Sequence, residues 1–288
     1  MKDRSRPTRR LLIRKLKSDF MVALTVLATV LALVPLFLVL GYLISKGASS
    51  LNWNFFTRMP APVGQSGGGM ANAIVGTFEL VLAAIVMGVP VGIGAGIYLA
   101  ENPAKWLTPG VRFAADIMMG VPSIVIGIFV YAVVVKPVGG FSTFAGAVAL
   151  AIIMVPLVTR TTEEMILLVP AELREAALAL GVPRWRTTLS VVARAATSGI
   201  ATGIILAIAR VAGETAPLLF TAFGNRFWST ALTQPIASLT VQVYTYAISP
   251  FADWQRQAWA GAVVLTAIVL ALEIGVRWIM RDSARVAR

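Results

Sequence analysis

The 288-residue sequence contains no cysteine and no histidine, and only 13% of its residues carry a charge. Without histidine there is no imidazole base and no haem-type nitrogen ligand. Without either residue there is no zinc site of the usual nitrogen and sulfur ligands and no cysteine nucleophile. The absence of cysteine also rules out a disulfide, so cysteine usage leaves the redox compartment open. Acidic groups are the scarcest charge: 13 Asp and Glu face 25 Lys and Arg, a formal net charge of +12. What fills the space is apolar, at 58% of residues, where a soluble domain has about 45–50% apolar and about 25% charged residues. A single soluble core stops growing beyond about 250–300 residues, which leaves lipid as the solvent for this much apolar surface.

A membrane-spanning helix needs about 20 mostly apolar residues. Six stretches qualify: 20–44, 71–100, 117–135, 141–159, 195–220 and 258–280. The first follows a basic head (Lys2, Arg4, Arg6, Arg9, Arg10, Arg14, Lys15, Lys17). A cleavable signal peptide has an apolar region of about 7–15 residues, shorter than this one, so the stretch reads as a retained span in which Pro35 is tolerated. Residues 227–252 are also uncharged, but Pro235, Pro250 and nine Ser, Thr and Gln make them too polar to face lipid. Both termini are basic, and the positive-inside rule then asks for an even number of spans with both ends in the cytoplasm. Six spans put nineteen Lys and Arg inside and five outside, with Arg210 within a span. That bias accounts for the net charge without nucleic acid.

Small residues carry the packing signal. Gly88, Gly92 and Gly96 recur every four residues on one face of the second span, and Gly199 and Gly203 repeat the spacing in the fifth. Such faces let helices approach closely in lipid, and the small-sided fifth span is expected at the centre of a bundle. The run Gly64-Gln-Ser-Gly67-Gly68-Gly69 is followed by Met70-Ala71 rather than the Lys-Ser/Thr of a phosphate-cradling loop, so it reads as a flexible lead-in to a helix. Arg210 and Glu214 stand four apart within the fifth span, so as one helix they share a face. Each ionised group near a bilayer centre costs about 2.5–3.5 kcal/mol on insertion scales. The pair therefore belongs in the bundle interior or a watery path, either as a structural lock or as part of a translocation route. Arginine suits planar contact with oxyanions. Glu79 is a weaker candidate, and Asp116, near a cytoplasmic end, is expected to face water.

The longest loop between spans, 160–194, holds a short helix. Pro170 opens it, Glu172 occupies the first turn, and Gly181 with Pro183 ends it. Leu173, Ala176, Ala177 and Leu180 fall on one stripe, suited to a groove on another protein or to the membrane surface.

Glu175-Ala-Ala-x-x-x-Gly181 resembles the cytoplasmic loop signature of ABC importer permease subunits. The stretch Ala207-Ile-Ala-Arg210-Val-Ala-Gly213-Glu214-Thr215-Ala216-Pro217-Leu218-Leu219-Phe220 is similar to the fifth-helix signature of the PstA family of phosphate-specific permeases. Asn225-Arg-Phe-Trp-Ser-Thr230 and Ser249-Pro-Phe-Ala-Asp-Trp254 look like that family's external loop, and Ala73-Ile-Val-Gly76-Thr77 agrees with its second span. The resemblance covers residues 71–280. It implies an all-α integral membrane protein with six transmembrane helices, the type I ABC importer permease fold and a cytoplasmic coupling-helix loop. The domains would be a basic tail at 1–19, a first span and extracytoplasmic loop at 20–70, the permease domain at 71–280 and a basic tail at 281–288.

The resemblance further implies a non-catalytic subunit that moves inorganic phosphate across a bacterial cytoplasmic membrane. Its partners would be a homologous second permease (PstC-like), an ATPase subunit dimer (PstB-like) that binds ATP and Mg, an extracytoplasmic phosphate-binding protein (PstS-like) and membrane lipid. No cofactor would be bound by this chain. Arg210 and Glu214 match the family's charged pair on the phosphate path, and Glu175, Ala176, Ala177 and Gly181 its coupling element. An importer for another oxyanion such as sulfate or molybdate is the alternative. An intramembrane enzyme would need paired carboxylates or a metal cluster that the isolated acids do not supply, and a self-sufficient carrier would leave the 160–194 loop without a partner.

Overall fold

The computed structural model describes residues 9–63, 65 and 67–286; Lys2, Arg4, Arg6, Gly64, Ser66 and Arg288 lie outside the described residues. Twelve helices follow in order. They are α1 (Arg9–Gly47), α2 (Trp53–Thr57), α3 (Ala71–Glu101), α4 (Leu107–Gly120), α5 (Ser123–Val138), α6 (Thr143–Leu167), α7 (Ala171–Ala179), α8 (Arg184–Ala195), α9 (Thr197–Ala212), α10 (Ala216–Leu219), α11 (Leu239–Ala247) and α12 (Ala252–Val286). Among the described residues there is no strand, only an isolated bridge between Pro60 and Gly68. Helices α1, α3, α6 and α12 are each long and apolar enough to cross a membrane, and the bent pairs α4–α5 and α8–α9 bring the number of spans to six.

The bends depart from the sequence reading, and two of the breaks have a local cause in proline. The span expected at 117–135 is interrupted by a bend of 105° between α4 and α5. Pro122 disfavours helical geometry at the residue before it, and Val121 is extended (φ −69°, ψ 129°). The span expected at 195–220 bends by 70° from α8 at its start, and it is divided within, because the helix stops at Ala212. Continuation would require an N–H at Pro217 to reach the Gly213 carbonyl, and proline has none. Residues 227–252 do not form a span, as their polarity suggested; they hold an irregular segment and the nine-residue α11.

The most extensive helix contact is between α3 and α6. A Cβ on Gly92 would lie 2.7 Å from Val158 Cβ, and one on Gly96 would lie 2.6 Å from the Thr159 carbonyl oxygen. On the other side of α6, a Cβ on Gly203 would lie 2.6 Å from Thr161 Cβ. Both glycine stripes thus do what small residues do in lipid, bringing backbones close enough for dispersion contact. The central helix is α6 rather than the fifth span: 15 of its 25 residues are buried, against 6 of the 16 of α9. Helix α1 is exposed along most of its length and packs on α12, where Tyr42 and Trp259 meet edge to face at 5.3 Å.

The end of the bundle opposite α7 is closed by α2, α11 and the start of α12 around Phe55, Met70, Leu239, Tyr246 and Trp254. Gly68 (φ +78°) and Gly69 pack tightly here: a Cβ on Gly69 would lie 2.7 Å from the Arg58 carbonyl oxygen. The glycines allow close approach as part of a packed turn, which corrects the reading of that stretch as a simple flexible lead-in. The irregular segment is pinned across helix starts. Asn72 Nδ2 donates to Asn225 O at 2.7 Å, the Leu239 N–H donates to Thr77 Oγ1 at 2.8 Å, and Thr143 Oγ1 donates to Gln234 O at 3.0 Å.

Candidate functional site

Arg210 lies in the last turn of α9, and Glu214 lies just beyond its end, in the break before α10. They do not share one continuous helix as the spacing suggested. Arg210 Nε and Glu214 Oε1 are 4.0 Å apart, the Arg210 side chain is 48% exposed, and that of Glu214 17%. A separation of 4.0 Å is too long for a hydrogen bond. Because the two residues flank one helix end, their pairing fastens no helix to another. An arginine on this face would be costly against lipid, so the face suits protein or water. The break also frees backbone groups of the kind that line polar paths in broken membrane helices. Thr240 Oγ1 donates to the Glu214 carbonyl at 3.0 Å and ties the break to α11. Glu79 is partly exposed on α3.

The structural lock is elsewhere, centred on Glu163, which the sequence reading passed over. Glu163 of α6 has a side chain only 2% exposed. Its Oε1 accepts from Arg112 Nε of α4 at 3.0 Å, and its Oε2 accepts from Arg160 Nη1 at 2.8 Å. Arg160 Nε in turn lies 3.0 Å from Asp116 Oδ1; Asp116, 46% exposed, faces water as expected and is paired as well. Four charges thereby tie α4, the first half of the bent α4–α5 span, to the central helix. The signal available in the sequence was Thr-Arg-Thr-Thr-Glu-Glu at 159–164, where Glu163 continues the helix periodicity of a buried face.

Helix α7 starts after Pro170, with Glu172 in its first turn, and ends where Gly181 takes φ +78°. No atom would crowd a Cβ at Gly181, so glycine is favoured there by the left-handed backbone. The expected apolar stripe divides. Ala177 is buried at 7%, while Leu173 (44%), Leu180 (85%) and the following Trp185 (65%) are exposed. Ala177 supports the helix from beneath, and Glu175, Ala176, Leu173 and Leu180 are left outside. Arg174 joins α7 to the bundle, pairing with Glu101 at the end of α3 and donating from Nη2 to Ile166 O of α6 at 3.1 Å.

Residues 92–285 match the family of binding-protein-dependent transport system inner membrane components. The phosphate transport system permease protein PstA of Yersinia pestis is 50% identical over 262 residues, covering 91% of this chain and 89% of its own. The protein of the same name from Xylella fastidiosa strain Temecula1 is 52% identical over 238 residues, 82% of each chain. The chain belongs to the PstA group of binding-protein-dependent permeases. A crystal structure of a bacterial ABC transporter involved in import of the acidic polysaccharide alginate shares the fold, with a TM-score of 0.63 at 13% identity, over 94% of this chain and 98% of that one. This permease is therefore a multi-pass subunit of an ABC transporter with the type I importer permease fold.

Proposed function

We propose that this chain is the permease subunit of an ATP-driven importer that carries inorganic phosphate across the bacterial cytoplasmic membrane. The observation that supports this most directly is its 50–52% identity to phosphate permeases over most of their length. The chemistry agrees. Arg210 presents a guanidinium on a face that lipid cannot cover cheaply, and Glu214 beside it can accept a hydrogen bond from the P–OH of hydrogen phosphate, a donor that sulfate at neutral pH lacks. In this reading the Arg210 face meets a homologous second permease (PstC-like), and phosphate passes between the two subunits. An extracytoplasmic binding protein (PstS-like) delivers the ion at the α11 end.

An ATPase dimer (PstB-like) docks on the α7 loop, where Glu175, Ala176, Ala177 and Gly181 set the helix and its exposed side. ATP and Mg bind to that ATPase, and this chain hydrolyses nothing and carries no cofactor. Residues 71–280 form the permease domain, with both termini in the cytoplasm on the strength of the nineteen-to-five Lys and Arg bias. The test is ATP-dependent uptake of radiolabelled phosphate in cells whose own systems are deleted and which express the whole complex. Uptake that resists a large excess of sulfate and molybdate is the expected result. Transport of sulfate or molybdate in place of phosphate would overturn the assignment.

A further inference from the structure

A chain of buried hydroxyl groups holds the break between α9 and α10 in place. Glu214 lies in that break, outside both helices. Its N–H donates to the Val211 carbonyl at 3.2 Å, and its own carbonyl accepts from Thr240 Oγ1 at 3.0 Å. Both peptide groups of Glu214 are therefore tethered, the second of them by a side chain from another element. Arg210 does not do this holding, because 4.0 Å between Nε and Oε1 is too long for a hydrogen bond.

Thr240 is 4% exposed and Ser238 2%, and their hydroxyl oxygens stand 3.3 Å apart. Counting protons gives that contact its direction. A hydroxyl has one proton to donate. Thr240 spends its own on a carbonyl, which can only accept, so Ser238 donates to Thr240. Ser238 Oγ in turn accepts from the Val241 N–H at 3.3 Å as the N-cap of α11. The relay runs one way, from Val241 N–H through Ser238 and Thr240 to the Glu214 carbonyl, and each donor is polarised by the one behind it.

The far end of the relay is anchored. The Leu239 N–H donates to Thr77 Oγ1 of α3 at 2.8 Å, and Thr77 donates to the Ala73 carbonyl at 2.7 Å. Beside them a Cβ on Gly76 would strike the Ala237 carbonyl oxygen, so the start of α11 sits directly on the α3 backbone. We propose that Thr240 is a positioning residue for the substrate path. It fixes the Glu214 peptide, and through it the carboxylate, beside Arg210, where the two side chains can meet one anion together. This rests on the transport reading above, in which Glu214 lines the path of phosphate.

The measurement is phosphate taken up per ATP hydrolysed in proteoliposomes containing the whole complex, with assembly followed by co-elution of the subunits. Thr240→Val removes the hydroxyl at nearly constant shape. It should lower the ratio about fivefold, the scale of one neutral hydrogen bond, with assembly and binding-protein-stimulated ATP hydrolysis unchanged. Thr240→Ser returns the hydroxyl and should return the ratio. Thr143→Val is the control. It removes an equally buried hydroxyl, also bonded at 3.0 Å to a backbone carbonyl, but that of Gln234, and it should leave the ratio unchanged. Equal losses of ratio in Thr240→Val and Thr143→Val show a merely structural role and overturn the proposal. An unchanged ratio in Thr240→Val, or a loss that Thr240→Ser does not reverse, also overturns it. If Thr240→Val fails to assemble, Thr240→Cys, similar in size and a weaker donor, takes its place, and an unchanged ratio there is equally fatal. Glu214→Gln separates the two levels. A lowered ratio in Glu214→Gln beside an unchanged one in Thr240→Val overturns the proposal alone. A normal ratio in Glu214→Gln takes Glu214 off the path and overturns the reading on which the proposal rests.

Discussion

Replacing Glu163 by Gln should destabilise the bundle more than any substitution of a surface charge. The carboxylate is 2% exposed and pairs with two guanidinium groups, Arg112 (36% exposed) and Arg160 (25% exposed). Removing one partner from a buried ion pair costs about 3–5 kcal/mol, because it strands the opposite charge in a poor dielectric. Both arginines keep some contact with water, and Arg160 retains Asp116, so screening brings the cost to the lower end, about 3 kcal/mol. At about 2 °C per kcal/mol for a chain of this length, the unfolding midpoint falls by about 6 °C. The assay is thermal unfolding of the detergent-purified permease complex, followed by loss of its monodisperse elution peak. Glu164→Gln is the control: that neighbour is exposed, and its loss should lie within about 0.5 kcal/mol. A double change, Arg112→Met with Glu163→Met, removes the stranded charge and should recover part of the loss. Equal midpoints for Glu163→Gln and Glu164→Gln would refute the lock.

Leu180 is 85% exposed just past the end of α7, the helix proposed to dock the ATPase, so Leu180→Asp should leave the permease's own stability within about 0.5 kcal/mol while abolishing co-elution of the ATPase; full ATPase binding would remove this face from the contact. Arg174→Ala unties α7 from Glu101 and the Ile166 carbonyl. It should lower phosphate moved per ATP hydrolysed, with recovery in the charge swap Arg174→Glu with Glu101→Arg, and an unchanged ratio would count against α7 being driven through α3. Gly92→Ala forces a Cβ to 2.7 Å from Val158 Cβ and should cost about 1–3 kcal/mol by overpacking. Gly94→Ala on the same helix, with nothing within 4 Å, should be neutral or slightly stabilising in the same unfolding assay.

The number of spans and the short helix α7 in the 160–194 loop were legible in the sequence because both rest on composition and on local stop signals. An uncharged stretch of spanning length has few alternatives, and Pro170 and Gly181 bound α7 as proline and glycine bound helices generally. The glycine stripes were readable for the same reason, since spacing by four fixes a face before any partner is known. What could not be read depends on partners. Which helix is central is decided by how many neighbours surround it, and α6 shows this only once α3 and α9 are packed on either side. Glu163 looks like any loop-proximal acid until Arg112 arrives from a helix fifty-one residues earlier in the chain. Ala177 belongs to an apolar stripe in sequence, yet the chain's own α8 covers it and leaves Leu180 outside. The 105° bend was legible in principle at Val121-Pro122, but the apolar run on both sides of it hides the break from any reading based on hydropathy alone.

The central claim is that phosphate passes the face carrying Arg210 and Glu214, and it is tested by neutralising both at once with Arg210→Gln and Glu214→Gln. Neither side chain fastens α9 to another helix, the Thr240 bond to the Glu214 backbone carbonyl is untouched, and with both charges gone no unpaired ion remains to unfold the bundle. Uptake of radiolabelled phosphate and ATP hydrolysis are measured together in proteoliposomes containing the whole complex. The account predicts normal assembly and binding-protein-stimulated ATP hydrolysis with little phosphate entering the vesicles. Uptake close to that of the unaltered complex would contradict it and take both residues off the path.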